Sequence, residues 1–128
     1  NYVDSFLIFQ EKYIREVIAV EAEVKHQKWG YVGHIDFGGR LTMFDAAVVL
    51  DWKTPVTKSK TWEAQVSAYL EAANETFPGH GWTRCGILQL SPEGKAPKMT
   101  WVEKPGEAFH FFIMKLQADQ YFRNGGRK

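Results

Sequence analysis

Two carboxylates and one ammonium group are the residues of this chain best suited to chemistry. Asp36 closes the apolar run YVGHI, and Asp51 and Lys53 close the run AAVVL as the triplet Asp-Trp-Lys. On a strand, alternate side chains share a face, so Asp51 and Lys53 point one way and Trp52 the other. Charged groups at the end of a buried strand give up apolar burial, and charge placed that way usually serves a site. Carboxylates are hard oxygen donors that suit Mg²⁺ or Mn²⁺, which bind through one or two acids, water and substrate phosphate. A lysine beside them can hold a phosphate oxygen or an attacking water. Acid, acid and lysine around a hydrated cation make a minimal device for cleaving a phosphodiester. Taken alone, an Asp-x-Lys triplet is just as well an ordinary surface ion pair.

Positioning these groups requires strands that end together and a helix that returns over them. Residues 3–14 carry Phe6, Leu7, Ile8, Tyr13 and Ile14 at helical spacing, with Asp4 or Ser5 as the expected cap. Residues 17–24 alternate, with Ile18, Val20, Ala22 and Val24 on one side of a strand and the acids Glu21 and Glu23 on the other. A second strand is expected over residues 30–37, broken by Gly38 and Gly39. A third, more buried strand is expected over residues 43–53 and stopped by Pro55. A helix follows over residues 61–76, capped by Thr61 or Ser59, with Glu63 in its first turn. Residues 83–91 and 98–103 read as two further strands. Pro105 opens a last helix over residues 106–122 with an apolar stripe of Phe109, Phe112, Ile113, Leu116 and Tyr121, and residues 123–128 read as a tail.

The third and fourth strands are joined through a helix, so they should run parallel with a right-handed crossover. The expected fold is therefore α/β, with a small mixed central β-sheet flanked by helices. The crossover helix brings a second set of polar residues. Gln65 and Tyr69 are four apart and share a helical face near the charged strand end. Gln65 suits a phosphate, a base edge or a metal-bound water, and Tyr69 suits a phosphate. The plainer alternatives are a solvated glutamine and a core tyrosine whose hydroxyl reaches the surface.

GHID, then VVLDWKT, then QVSAY resembles the PD-(D/E)XK nuclease superfamily, in particular its RecB-like exonuclease branch with the QxxxY motif. The match covers roughly residues 17–75 by motif and the rest by element order. The resemblance implies a restriction-endonuclease-like core in which Asp36 and Asp51 ligate Mg²⁺ or Mn²⁺, with the backbone carbonyl of Trp52 as a further ligand. Lys53 would position and activate the attacking water, and Gln65 and Tyr69 would hold DNA or orient the site. Many relatives add an acid or histidine from an N-terminal helix. Here Glu11 and Glu16 are the helical candidates, Glu21 or Glu23 on the first strand are alternatives, and the residue would otherwise lie upstream of Asn1. The implied activity is a divalent-metal-dependent deoxyribonuclease, an exonuclease acting at DNA ends in recombination, repair or phage DNA processing. Its partner is DNA, with a helicase or recombination protein alongside, in the cytoplasm, nucleoid-associated or in a phage-infected host. The alternative is an inactive DNA-binding or assembly module that keeps the fold.

Composition bounds these expectations. A length of 128 residues suits one domain, residues 1–128. The net charge of +1 carries no global field for nucleic acid, so any DNA contact must come from a local patch and a metal. Lys58 and Lys60, in the loop after Lys53, are the nearest candidates for phosphate contacts. The single cysteine, Cys85, excludes an internal disulfide and reads as a core filler. His34, two residues before Asp36, is a candidate neighbour of the acids, though a strand histidine is more often satisfied locally. Trp62, Trp82 and Trp101 offer stacking faces for bases, with core packing as the default for tryptophan. No apolar run approaches a membrane span. A small-molecule phosphate enzyme is disfavoured by the lack of a glycine-rich loop opening a helix.

Overall fold

The computed structural model describes residues 1–53 and 60–125. Its elements are α1 (Tyr2–Tyr13), β1 (Ile14–His26), β2 (Tyr31–Leu41), β3 (Val48–Lys53), α2 (Lys60–Thr76), β4 (Arg84–Gln89), β5 (Lys98–Trp101) and α3 (Pro105–Gly125). The five strands form one mixed sheet in the order β1-β2-β3-β4-β5. Only β3 and β4 are parallel, and they are the pair joined through α2. The expected α/β architecture with a parallel crossover therefore stands.

Alternation along β3 sorts the core into two layers. Val48 and Leu50 pack with Phe9 of α1 and with Phe37, Leu41 and Leu88. Val49 packs on the opposite face with Val66, Ala68 and Leu70 of α2 and Ile113 of α3. One face of the sheet thus carries α1, and the other carries α2 and α3. Each fully buried Leu, Ile or Val in these layers contributes about 1.5–3 kcal/mol relative to exposure.

Several boundaries differ from the sequence expectation for identifiable reasons. The cap of α1 is Asn1, whose side chain accepts the Asp4 N–H at 3.1 Å in a capping box. Ser5 is buried instead, and its hydroxyl accepts the Ser91 N–H at 2.9 Å. Gly38 and Gly39 do not break β2, which runs on to Leu41. A side chain at Gly39 would overlap the Glu16 carbonyl, and one at Gly38 would press on Trp82. Glycine there permits close approach within a strand rather than ending it. The third strand begins only at Val48, since residues 42–47 turn. In α2, Thr61 is inside the helix rather than its cap, and Ser59 lies outside the described residues. The helix α3 continues to Gly125, three residues into the expected tail, while Tyr121 faces outward instead of joining the buried stripe.

The alternation expected for β1 also fails at one point. Val20 is 56% exposed although Ala22 and Val24 pack toward α2. The register shifts between Val17 and Ala19, and Glu21 has a left-handed φ of 47°. A bulge and a kink together turn Val20 away from its predicted face. Further along, β1 is tied to the end of α2. The Lys25 N–H donates to Thr76 Oγ1 at 2.8 Å, and the Gln27 N–H donates to Glu75 Oε1 at 3.0 Å. Among the described residues no helix is long and apolar enough to cross a membrane.

Candidate functional site

The site forms where β2 and β3 part. Their pairing runs Gly39↔Val48, Gly38↔Val49 and Phe37↔Leu50, then stops. One residue further, the Trp52 N–H donates to the Asp36 carboxylate at 2.8 Å instead of to a carbonyl of β2. The opposite edge of β3 stays paired, with the Leu90 N–H donating to the Lys53 carbonyl at 2.9 Å. Backbone groups of successive residues alternate in direction, so the Trp52 carbonyl points to the β2 side, toward Asp36. The sequence reading assigned that carbonyl but missed the N–H beside it. A strand end with an acid one residue past the last ladder pair was the available signal.

Alternation places the remaining groups. Asp51 and Lys53 follow Val49 to the α2 face, while Trp52 follows Leu50 to the α1 face. There the indole packs edge-on against Phe6 with centroids 5.0 Å apart, and against Phe37 at 5.9 Å. That aromatic contact holds the backbone of the triplet rigid. On the α2 face, Lys53 Nζ lies 2.9 Å from Asp51 Oδ2. The contact holds the Lys53 ammonium above its ordinary pKa, so lysine acts here as a fixed cation rather than as a base.

Asp51 lies close enough to Asp36 to bear on its ionisation. Burial, together with the neighbouring Asp51, pushes the Asp36 carboxyl up to about 6 despite the Trp52 N–H, which acts in the other direction. The nearby Asp51 carboxylate disfavours the charged form of Asp36, and a bound cation would relieve that repulsion. Their oxygens and the Trp52 carbonyl form a hard donor set that fits Mg²⁺ or Mn²⁺, which keep several waters and need only one or two acids. Among the described residues no group of three or more His, Cys, Asp or Glu is placed to hold a metal. Glu21 is exposed and does not complete such a cluster with Asp36 and Asp51.

From α2, the Gln65 side-chain amide donates to the Tyr69 hydroxyl at 2.8 Å. Burial raises the Tyr69 pKa, with the negative charge of Asp51 adding to the effect, so the phenol keeps its proton as a donor beside the acids. The ring lies over Gly33, where any Cβ would overlap Tyr69 Cδ1 and Cε1. The glycine three residues before Asp36 is thus the recess into which Tyr69 packs. This role was not read from the sequence.

The other candidates are placed elsewhere. Glu16 is paired with Arg40, which also donates to the carbonyls of Asp45 at 2.8 Å and His80 at 3.1 Å, beyond the paired end of β2. Glu11 is exposed on α1, across the sheet from Asp51 and Lys53. Glu23 pairs with Lys25 at 3.5 Å. His34 is exposed. Lys58 lies outside the described residues, and Lys60 is the first residue of α2. Cys85 is buried, 3.7 Å from Ser67 Oγ, and burial pushes its thiol up to about 12, which makes it inert. Trp62 and Trp82 are core residues. Compared with known proteins, the chain matches no family model and no curated protein.

Proposed function

We propose that this chain is a divalent-metal-dependent deoxyribonuclease domain of the PD-(D/E)XK type, an exonuclease that hydrolyses phosphodiester bonds at DNA ends. The observation that carries the reading is the convergence of Asp36, Asp51 and Lys53 at the parting of β2 and β3, with Asp36 anchored on the Trp52 N–H at 2.8 Å. Asp36, Asp51 and the Trp52 carbonyl would hold Mg²⁺ or Mn²⁺. A cation bound there supplies Lewis acidity that stabilises charge developing on the scissile phosphate. The Lys53 ammonium, fixed by Asp51, orients the attacking water and favours loss of its proton. The Tyr69 hydroxyl, accepting from Gln65, is left with its own proton to donate to a phosphate oxygen. Recombination, repair or phage DNA processing in a cytoplasmic setting, beside a helicase or recombination protein, is the context that the reading implies.

The test is digestion of end-labelled linear and circular DNA, single- and double-stranded, with Mg²⁺, with Mn²⁺ and with chelator. Metal-dependent loss of linear substrate, abolished in Asp51→Ala and Lys53→Ala, supports the reading. A second reading, an inactive DNA-binding or assembly module on the same fold, is favoured by the lack of a third acidic ligand among the described residues. DNA binding by the folded protein with neither cleavage nor divalent-cation binding at a specific site would select it.

A further inference from the structure

The outer strand β5 and the two helices beside it form an open groove of about 1000 Å³, walled by Trp62, Trp101, Val102 and Phe111 and bordered by Glu103 and Glu107. Three independent features of this groove ask for the same kind of occupant. The first is a free backbone edge. The Val102 N–H donates to the Cys85 carbonyl at 2.9 Å, and the register pairs Trp101 with Gly86 and Met99 with Leu88. Alternation therefore turns the N–H and C=O groups of Met99 and Trp101 away from β4, and neither residue's backbone has a partner among the described residues. The second is an apolar wall of Trp62, Val102 and Phe111, with Phe111 59% exposed. The third is charge. Glu103 and Glu107 stand at the groove with Lys104, which reaches Glu107 at 3.9 Å, so Glu103 leaves the border net acidic.

We infer that this groove docks an extended, basic segment of a partner protein, which pairs as a sixth strand on β5. Strand addition explains the set because it supplies main-chain acceptors and donors to Met99 and Trp101 and places alternate side chains into one groove. An aromatic wall with an acidic border selects an apolar side chain flanked by lysine or arginine. Nucleic acid is the wrong chemistry here, since phosphates would face Glu103 and Glu107. The far edge of the sheet offers no equivalent site, because α2 already occupies the Lys25 and Gln27 amides.

The experiment titrates the full chain with the capped peptide Lys-Thr-Val-Thr-Lys and with its Glu-Thr-Val-Thr-Glu counterpart, followed by amide and indole NMR. The basic peptide is expected to shift the Trp62 indole resonance and to slow exchange of the Met99 and Trp101 amides. The acidic peptide should bind at least tenfold more weakly. Met99→Pro removes an outward N–H that the ladder does not use, so it should keep the fold and lose the peptide. Glu103→Lys with Glu107→Lys should reverse the preference between the two peptides. Equal binding of both peptides, binding that survives Met99→Pro in a folded protein, or an unmoved Trp62 indole at saturation would overturn the inference. So would the same shifts produced by raising the concentration of the chain alone, or by DNA.

Discussion

The Asp36 carboxylate stands where a backbone carbonyl would continue the sheet, accepting the Trp52 N–H at 2.8 Å just beyond the last β2–β3 pair. Strand order and site chemistry thus meet at one hydrogen bond. Separating the strands frees the Trp52 backbone, and the acid that fills the gap is the one whose ionisation burial and Asp51 oppose.

That raised carboxyl sets a pH dependence with a definite sign. Asp36 is raised from 3.8 to about 6, mainly by burial. Its proton is held more tightly folded than unfolded, so this contribution to stability is full below the ordinary carboxylate value and is lost as pH rises through about 6. In chelator, the denaturation midpoint should fall across that window, and Asp36→Asn should flatten the fall. A cation must displace the proton, so Mg²⁺ or Mn²⁺ affinity should strengthen through the same window, with proton release measurable by calorimetry in buffers of different ionisation heat.

Lys53 is expected to matter for the reaction far more than for the fold. Its side chain is 41% exposed and paired with Asp51, so the pair contributes little to stability. Lys53→Ala should leave the unfolding midpoint nearly unchanged while lowering cleavage about 100- to 1000-fold, the range for losing one preorganised charge at a reacting phosphate. Parallel denaturation and end-labelled DNA digestion check both halves.

Gly33→Ala should couple to Tyr69. The added methyl would overlap the tyrosine ring, which α2 holds in place. Overpacking of this kind costs about 1–3 kcal/mol. If the ring is the obstacle, Tyr69→Ala should absorb much of that cost, and the double variant should be more stable than the two single losses predict. Chemical denaturation of the four proteins decides it.

Glu21 separates a backbone role from a ligand role. At φ 47° a non-glycine residue is strained, and glycine relieves the strain. Glu21→Gly should be more stable than Glu21→Ala by up to about 1 kcal/mol, while divalent-cation affinity stays the same in both. A loss of cation affinity in both variants would restore Glu21 as a ligand.

The sheet and its crossover were legible in the sequence because β3 is a continuous apolar run stopped by Pro55 and α2 carries helical spacing, and because the Asp51-Trp52-Lys53 alternation follows from pleating alone. Gln65 and Tyr69 were legible as a helical pair for the same reason. What could not be read were long-range substitutions for local rules. Gly38 and Gly39 look like breakers until Trp82 and the Glu16 carbonyl are brought against them. Val20 fits an inward face until a bulge and the Glu21 kink turn it outward. The Asn1 cap depends on chain geometry before the first apolar residue, where periodicity has nothing to report.

The clamp of Thr76 and Glu75 on the Lys25 and Gln27 amides has a consequence for assembly. A sheet with two open borders can add copies at both and grow without limit. Here the end of α2 occupies amides at one end of the β1 border, and bulges between Ile14 and Glu16 and between Val17 and Ala19 interrupt the other end. Growth by strand addition is therefore one-sided. A single strand added on β5 would then use up the border that stays open.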